Sequence, residues 1–591
     1  MRSRGSSEYK LLTRLFFRLL PYQVLLLIIS AGNGIIDSLH ASNFIGKTAM
    51  AAIGLYAPLD HFMYAASIIL VSGSQLLCGK YLARGQKESM EAICSTDLTV
   101  SLLLSLVISG AMVLVSLTDL TASFVKEETE RAAFNQYLLG QSLGIPALLM
   151  GQQLFSFLSM ENQTRRTTLA SVACMATNLV LDTTFLAVLR MGTLGLALAS
   201  ALSYWVFLGI QAQYFLSGKA DIRFSFSHPR WREVLEIVRI GYPGALSRFA
   251  EVFRCLIVNG LILAFVGSVG LSSFAAVNSV MAVFWPVPFG MTAVLRMILS
   301  ISLGEEDRRS VTDIMHIVLT KGVLVTCGIT ALLVLLAAPI TMLFYRDPAD
   351  PIFGMTVSAF RILPFCMPLA MVSLSFACYA QATEKKVLAT VLPLLDGGIF
   401  VSLFASILIP AFGMNGLYFA NILNGCCCCL VILLFATLFW KHFPKTLEQL
   451  LMIPDSFGAA ENERIDISIT QLSEVVSISS RVIDFCRERG IDERRAQHAG
   501  LALEEMAGNI VEHGFTKDSR PHSVDIRVIH RGDDIVLRLR DNCRAFNPSE
   551  RFRLFDPADP AKSVGLRLVY GMDKDVSYQN LLGLNVLTIR I

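Results

Sequence analysis

The sequence predicts a polytopic α-helical membrane protein followed by a cytosolic α/β sandwich, and three observations support this fold class. First, 54% of the 591 residues are hydrophobic and 16% are charged, against about 25% charged residues in soluble domains. Second, apolar stretches long enough to cross roughly 30 Å of hydrocarbon recur about twelve times before residue 440. Third, charged residues become frequent only after residue 460, where shorter alternating and helical patterns begin.

The basic residues between the apolar stretches orient the predicted helices. Lys80, Arg84, Arg308, Arg309 and Lys385 all fall in alternate loops. Because cytoplasmic loops are enriched in Lys and Arg, we expect these loops and both termini in the cytoplasm, as in a multi-pass protein of a bacterial inner membrane. The predicted spans lie near 16–42, 50–79, 94–117, 133–158, 166–189, 193–216, 237–265, 272–301, 315–344, 353–380, 387–410 and 414–440.

The chain is predicted to have four parts. Two six-helix lobes occupy residues 1–220 and 221–445, a linker with Pro and Gly follows at 446–462, and a cytosolic domain occupies 463–591. The lobes are expected in the lipid bilayer. The linker should leave the last part in the compartment where ATP is found.

An internal repeat relates the two predicted lobes. Gly192 and Gly413 are separated by 221 residues, and so are Gly195 and Gly416. Six crossings per lobe is an even number, so the lobes share one orientation and are related by an axis along the membrane normal. Carriers that work by alternating access can be built in this way, with their site between the repeats. Transport is therefore the leading functional prediction.

Ionisable residues inside the predicted spans are candidates for binding ions or substrate. Asp37 and Asp182 lie in apolar segments, and Asn178 precedes Asp182 by four residues, on the same helical face. Ser200 follows one helix later as a further oxygen ligand. A carboxylate at membrane depth is costly and is usually kept for ions, protons or cationic substrates. The structural alternative is a hydrogen bond between packed helices.

A second carboxylate, Glu251, lies three residues from both Arg248 and Arg254. This spacing predicts an intramembrane ion pair, because residues three apart are neighbours on a helix. Asp60 and Asp396 are further polar positions in the apolar region, and we interpret them as residues of helix ends or of a cavity.

Several short motifs carry a resemblance to a known family: Asn33-Gly34-Ile35-Ile36-Asp37, Phe44-Ile45-Gly46, Ala51-Ala52-Ile53-Gly54-Leu55, Asn178-Leu179-Val180-Leu181-Asp182 and Met191-Gly192. Together they resemble the multidrug and toxic compound extrusion (MATE) family over about residues 1–440. The resemblance implies a V-shaped pair of lobes that exports drug-like, often cationic, small molecules in exchange for H⁺ or Na⁺. It implies coupling roles for Asp37 and Asp182, and it keeps Glu251 as an alternative cation-coupling residue.

The last part of the chain combines strand and helix patterns. A helix is predicted to begin after Asp492, and its polar face carries Glu505, Asn509 and His513 at intervals of four residues. We predict a mixed sheet covered by a few helices. The predicted strands lie at 464–469, 523–530, 534–540, 575–580 and 584–591.

Three motifs here are Glu504-Glu505-Met506-Ala507-Gly508-Asn509, Asp541-Asn542-Cys543-Arg544-Ala545-Phe546-Asn547-Pro548 and Gly565-Leu566-Arg567-Leu568. They resemble the GHKL ATPase superfamily, most closely its anti-sigma-factor serine kinases. The resemblance implies that Asn509 holds Mg²⁺, Glu505 is the general base, Asp541 accepts a hydrogen bond from the adenine of ATP, and Gly565 lies at the phosphates. Such roles suit oxygen ligands and close backbone approach.

Two positions depart from that superfamily's pattern. Cys543 stands where Gly is usual, which would require a permissive backbone angle, and Arg567 replaces the second Gly of the phosphate-side motif. We therefore expect ATP binding, and leave Ser/Thr protein kinase activity open. The alternative is a domain that only docks partners.

Two functions follow from the two halves. The first is a secondary exporter whose cytosolic ATP-binding domain regulates it. The second is a receptor whose transporter-like region senses a ligand and controls a serine kinase acting on a cytosolic anti-anti-sigma-type (STAS) protein. A primary ATP-driven pump is disfavoured because the sequence has no Gly-x-x-x-x-Gly-Lys-Ser/Thr loop. The net charge of +3 identifies no partner, and no nucleic acid is expected.

Overall fold

The membrane part of the computed structural model is a pair of helical bundles. The structure describes residues 7–591 except 46, 85, 124–127, 162, 219, 221, 225–229, 346, 460–462, 516–521, 532–533, 544–574 and 582–583. The first bundle contains α1 (Ser7–His40), α2 (Lys47–Ala83), α3 (Lys87–Leu117), α4 (Glu128–Ser142), α5 (Ile145–Met160), α6 (Thr164–Thr183) and α7 (Gly192–Leu216). The second contains α8 (Trp231–Phe265), α9 (Ser268–Phe284), α10 (Pro286–Gly304), α11 (Arg308–Ile317), α12 (Val323–Leu335), α13 (Ala337–Met342), α14 (Pro351–Ile362), α15 (Cys366–Ala382), α16 (Lys386–Leu394), α17 (Phe400–Phe412) and α18 (Met414–Trp440).

These helices follow the predicted apolar stretches, but several stretches are interrupted. By length and composition, nine helices of the described chain qualify as membrane spans, or ten if α4 and α5 are counted as one span bent by 45°. The predicted count was about twelve. Part of the difference is physical, because α8 carries Arg248, Glu251 and Arg254 within its apolar length. The multi-span helical fold class is confirmed.

Three short π-helical segments of the bundles lie next to buried or half-buried carboxylates. One follows α1 at Ala41–Ile45, another follows α6 at Thr184–Val188, and a third joins α16 to α17 at Leu395–Ile399. The first segment lies close to Asp37, the second begins directly after Thr183, and the third contains Asp396. Such bulges are frequent at functional sites.

The internal repeat is visible in the backbone. Gly192 begins α7 with φ 60°, and Gly413 precedes α18 with φ 58°. Both positions need the left-handed conformation that favours glycine. Gly195 and Gly416 also match, since a Cβ at either one would overlap the segment that precedes its helix. The last helix of each bundle is therefore entered through the same kind of turn.

The two bundles touch through α2, which packs against α8 and α10, and through α1, which packs against α10. Glycines allow the backbones of α2 and α8 to approach each other closely where the two helices cross. A Cβ at Gly73 of α2 would collide with the main chain of Ile237, and a Cβ at Gly241 of α8 would collide with the main chain of Ile69. The lobes are therefore in direct backbone contact along this seam.

The C-terminal domain is a five-stranded sheet covered on one face by two helices. Neighbouring strands pair in the order β1-β2-β3-β5-β4, and all four pairings are antiparallel. For the described strands the prediction of a mixed sheet was wrong, although each predicted strand is present. The elements are β1 (Arg464–Ile469), α20 (Ser473–Glu488), α21 (Glu493–Asn509), β2 (Val524–Arg531), β3 (Asp534–Asp541), β4 (Asp575–Leu581) and β5 (Leu584–Arg590).

A short segment joins the bundles to this domain and is packed against the bundles. After α18 the chain forms α19 (Leu447–Leu450), and Leu451, Met452 and Ile453 are then buried in the apolar core of the bundles. Lys385 donates to the carbonyl of Met452 at 2.9 Å. We call the bundle end that meets this segment and the domain the domain side.

Candidate functional site

The first candidate site lies inside the first bundle and joins three helices. Asp37 of α1 accepts a hydrogen bond from the Ser200 hydroxyl of α7 at 3.0 Å. The same carboxyl group interacts with Asp182 and Asn178 of α6. Asp182, Asn178 and Ser200 are almost fully buried, at 0%, 1% and 2% exposed. The structure thus brings together four residues that the sequence placed on three separate segments.

These four residues form an oxygen-rich cluster with unused bonding capacity. Asp37 Oδ1, Asn178 Oδ1 and both carboxylate oxygens of Asp182 have no hydrogen-bond partner among the described residues. Two carboxylates that face each other in an apolar interior cannot easily both carry a charge. A proton or a small cation between them would relieve their repulsion and use the free oxygens.

Glu251 has a different environment. Its carboxylate accepts from Arg248 at 2.9 Å and from Arg254 at 3.1 Å. Arg248 also stacks on the ring of Tyr64 from the first bundle, 5.2 Å from its centroid. The geometry favours the ion-pair interpretation of Glu251, because both its oxygens already have guanidinium partners.

Asp396 in the second bundle is also hydrogen-bonded. It accepts from the Ser373 hydroxyl at 2.8 Å and from the Asn424 side chain at 2.8 Å. These bonds tie α15 and α18 to the π segment between α16 and α17. The carboxylate therefore holds helices together, which is a structural use of a half-buried charge.

Sequence reasoning missed one buried carboxylate, Asp97 of α3. Its side chain is 0% exposed, and neither of its oxygens has a hydrogen-bond partner among the described residues. Ser101 and Ser105 follow at four-residue intervals and are also fully buried. The available signal was an acid inside the predicted third span, followed by hydroxyl residues on the same helical face.

The second candidate site lies on the helix-covered face of the C-terminal sheet. Glu505 and Asn509 are one turn apart on α21 and are half-buried. The apolar side of α21, including Leu503 and Met506, packs in a core shared with Leu539 of β3. The predicted stripe is thus confirmed.

Asp541 ends β3 and is 3% exposed. Its Oδ1 accepts from the Cys543 backbone N–H and from the Asn585 side chain, both at 2.8 Å. Burial raises the pKa of the Asp541 carboxyl, and the hydrogen bonds from Asn585 and Cys543 oppose this shift. The carboxylate is therefore held in one orientation, as an acceptor for a purine amino group requires.

The two departures from the superfamily pattern have different outcomes. Cys543 is buried, and it is not one of the residues with a left-handed backbone in the described chain. It also packs against Gly514, whose Cβ would lie 3.2 Å from its sulfur. The concern that Cys543 requires a permissive angle is therefore removed. Gly565 and Arg567 lie outside the described residues.

The fold and the first site define a class: a two-bundle membrane transporter with a nucleotide-binding type of domain on one side. The MatE family model matches residues 24–184 and 243–395, more than half of the chain. The chain therefore belongs to the MatE family. The model of the histidine kinase-like ATPase domain matches residues 469–591, so the last part is a domain of that type.

Known proteins resemble the membrane part. The multidrug resistance protein NorM of Vibrio cholerae is 22% identical over 351 residues, covering 58% of this chain and 76% of the relative. A probable multidrug resistance protein NorM of Listeria innocua is 25% identical over 326 residues, covering 53% and 70%.

Solved structures share the fold. An outward-facing conformation of a multidrug resistance MATE family transporter is similar with a TM-score of 0.65 at 20% identity, covering 73% of this chain and 97% of that one. A MOP superfamily transporter from Pyrococcus furiosus matches with the same TM-score, identity and coverage. At this identity the similarity establishes the architecture of the bundles.

Proposed function

We propose that the chain is a secondary active exporter of drug-like, cationic small molecules, driven by an inward gradient of H⁺ or Na⁺. The observation that carries this proposal is the cluster of Asp37, Asp182, Asn178 and Ser200 inside a MatE-type bundle. The named relatives are multidrug resistance proteins, which supports the same class of substrate.

The cluster has suitable chemistry for ion coupling. Its carboxylate, amide and hydroxyl oxygens are hard ligands that suit Na⁺, and its carboxylates also accept protons. Binding at Asp37 changes the charge between α1, α6 and α7, and therefore their packing. A bundle with two packing states is what exchange of an ion for a substrate requires. Glu251 is the weaker candidate for coupling, because two arginines already neutralise it.

We place the domain side of the bundles in the cytoplasm of a bacterium, together with both termini. Arg84, Arg308 and Lys385 all lie at this end, as expected for cytoplasmic loops. The orientation also gives the C-terminal domain access to ATP.

The C-terminal domain is proposed to bind MgATP and to regulate export. Asn509 and Glu505 offer oxygen ligands of the type that Mg²⁺ prefers, and the oriented, buried carboxylate of Asp541 fits an adenine amino group. Gly565 would let the backbone approach the phosphates. Bound MgATP would supply a transferable phosphoryl group, and Glu505 would act as the general base that accepts a proton from the attacking hydroxyl.

The receptor function is the second candidate, and one observation favours it. The face of the domain that carries α21 points away from the bundles, because the opposite face of the sheet contacts them. His513, just beyond α21, is exposed. A cytosolic STAS-type protein could therefore reach the Glu505 side of the domain as a phosphorylation substrate while the domain stays docked on the bundles.

Transport in everted membrane vesicles from cells expressing the chain tests this proposal. A fluorescent cation should accumulate in the vesicles when a gradient of H⁺ or Na⁺ is imposed, and collapse of that gradient should release it. Comparing the two ions identifies the coupling ion. If neither gradient drives accumulation while the full chain still binds ATP, the exporter proposal is wrong and the receptor function is favoured.

A further inference from the structure

A three-residue acidic turn lies between the bundles and the domain. It consists of Glu305, Glu306 and Asp307, between α10 and α11 on the domain side, and each residue has an arginine partner. Glu305 contacts Arg540 at 2.5 Å. Asp307 pairs with Arg527, and Glu306 lies 3.9 Å from Arg84. We call these three residues the acidic turn.

The domain meets the acidic turn through the outer face of its sheet. Side chains alternate along a strand, so Leu537 and Leu539 of β3 enter the domain core, while Arg538 and Arg540 face the bundles. Arg538 lies 3.5 Å from the same Glu305 oxygen that Arg540 contacts. Glu305 and Asp307 have side chains only 1% exposed. This is a desolvated contact, in which the loss of one partner leaves an unpaired buried charge.

Charge neutralisation at Asp307 makes this contact persistent. Burial raises the pKa of the Asp307 carboxyl, but the guanidinium groups of Arg527 and Arg540 and hydrogen bonds from Ser310 outweigh burial, so its pKa lies below the usual range. A carboxyl with a lowered pKa keeps its partners above that pKa and loses them only in strong acid. The contact therefore holds at neutral pH.

The same turn closes the seam between the two bundles. Glu306 reaches Arg84, which follows α2 of the first bundle. Beside it, Lys80 of α2 pairs with Glu384 of the second bundle at 2.8 Å. We call these two pairs the inner gate, because they join the bundles at the domain side.

Both glutamates of the inner gate have a strained backbone. Glu306 has φ 52° and Glu384 has φ 57°, a left-handed conformation that is unfavourable for residues other than glycine. Strain of this kind persists where surrounding contacts impose it, and it is common at switch regions. The first bundle contacts Glu306 itself through Arg84, and the docked domain holds its two neighbours, Glu305 and Asp307.

The structure assigns to the outer face of the ATPase sheet the role of a docking surface for the chain's own acidic turn, so that domain docking stabilises the closed inner gate. The partner is this loop of the carrier because Glu305 and Asp307 match the arginines on the sheet, and the linker keeps the loop and the sheet within reach of each other. This inference rests on the proposed alternating-access function. The docking contact is the route by which the domain would act on transport.

One strand connects the docking surface to the proposed nucleotide site. Asp541 and Arg540 are consecutive residues of β3 and point to opposite faces of the sheet. A change at the adenine site that shifts the end of β3 therefore also shifts the contact with Glu305. Two sites that bias the same element are coupled, and the coupling is reciprocal.

Hydrogen exchange measured by mass spectrometry on the purified full chain in nanodiscs tests the docking surface. The variants are Arg540→Glu, Arg540→Glu combined with Glu305→Arg, and Arg590→Glu. Arg590 is the matched control, because it is exposed and occupies the same face of the sheet. The readouts are the peptides that contain Glu306 and Arg84.

With Arg540→Glu, we expect exchange in both peptides to rise on the order of tenfold or more, since a buried pair is broken. The combined variant should restore slow exchange, and Arg590→Glu should match the unmodified chain. Faster exchange confined to the sheet, or an unchanged Arg84 peptide in Arg540→Glu, would overturn the inference.

The exchange rates of the variants can be compared whether or not the chain exports a substrate. If the unmodified chain fails to transport in vesicles, the proposed function is overturned while the exchange result still decides whether docking controls the gate contacts. If the chain transports and Arg540→Glu leaves the exchange rate of the Arg84 peptide unchanged, the docking inference alone is wrong.

Discussion

At the residue scale, Asp37 and Asp396 illustrate how hydrogen bonding separates two uses of a half-buried carboxylate in a helical bundle. Asp37 faces a second acid and keeps an oxygen without a hydrogen-bond partner among the described residues. Asp396 receives two hydrogen bonds, from Ser373 and Asn424. A satisfied carboxylate contributes to packing, whereas one with free oxygens can bind an ion.

We therefore predict opposite results for two identical substitutions. Asp37→Asn should abolish export of a fluorescent cation from cells, because the proposed ion site loses its charge. Asp396→Asn should retain export per folded molecule and lower thermal stability by about 1 kcal/mol, the usual worth of a hydrogen bond. Efflux and the amount of folded protein are measured together. Export that survives Asp37→Asn contradicts the assignment of the ion site.

A second residue-scale prediction concerns the pH dependence of ATP binding. In the proposed site the ionised carboxylate of Asp541 would accept a hydrogen bond from adenine, and burial raises the pKa of this carboxyl. Protonation removes the acceptor, so ATP affinity should fall as pH decreases, and should begin to fall at a higher pH than an ordinary aspartate would require. Calorimetry on the full chain over a pH series measures this. The Asp541→Asn variant should bind ATP more weakly and lose this pH dependence. If the pH dependence survives the substitution, it arises from another residue.

The residues of the first site were predictable because their chemistry conflicts with their surroundings. Asp37, Asn178 and Asp182 are polar groups in apolar segments, and the membrane makes each of them conspicuous. Asp97 shows the same signal and was missed, because its helix also carries many hydroxyl residues. That Asp37 and Asp182 touch each other depends on how α1 packs against α6, which no local pattern contains.

At the element scale, local patterns predicted the strands well and the membrane helices less well. The alternation at 464–469 became β1 because one face of the strand must be buried. The predicted span at 133–158 is instead α4 and α5, bent by 45° where Gly144 and Pro146 interrupt the helix. The described strands form an antiparallel sheet rather than a mixed one, since strand direction is set by pairing across the domain.

The repeated glycines allow a paired test of the two-bundle architecture. Gly192→Ala and Gly413→Ala should each destabilise the protein by about 1 kcal/mol or more, because both positions have a positive φ. Gly209→Ala is the matched control in α7. A Cβ there meets nothing within 4 Å, so the substitution should stabilise by roughly 0.4–1 kcal/mol. Thermal melts of the purified variants measure all three. Equal effects at Gly192 and Gly209 would contradict the role of the turn.

At the scale of the whole molecule, the relation between the two halves was beyond sequence patterns. Glu305 and Asp307 look like ordinary residues at a helix start, and Asp307 does cap α11 through Ser310 at 2.9 Å. Their pairing with Arg540 and Arg527 spans more than 200 residues of chain. Composition indicated that the halves differ, but only the folded chain places the sheet on the loop that also meets Arg84.

The proposed export and its regulation use two different sources of energy. In the proposed function, the ion gradient drives export through the first bundle, and the nucleotide acts through the docked domain on the inner gate. ATP should therefore change the rate of transport, while the ion gradient supplies the energy for transport. A primary pump would instead need hydrolysis at every cycle.

The most direct measurement is transport of a fluorescent cation by the full chain in proteoliposomes, under an imposed ion gradient, with and without MgATP on the domain side. We expect transport without ATP, and a changed rate when ATP or a non-hydrolysable analogue is added. The change should disappear in Asp541→Asn. Transport that requires ATP hydrolysis, or that is identical with and without nucleotide, would contradict a gradient-driven carrier regulated by its docked ATPase domain.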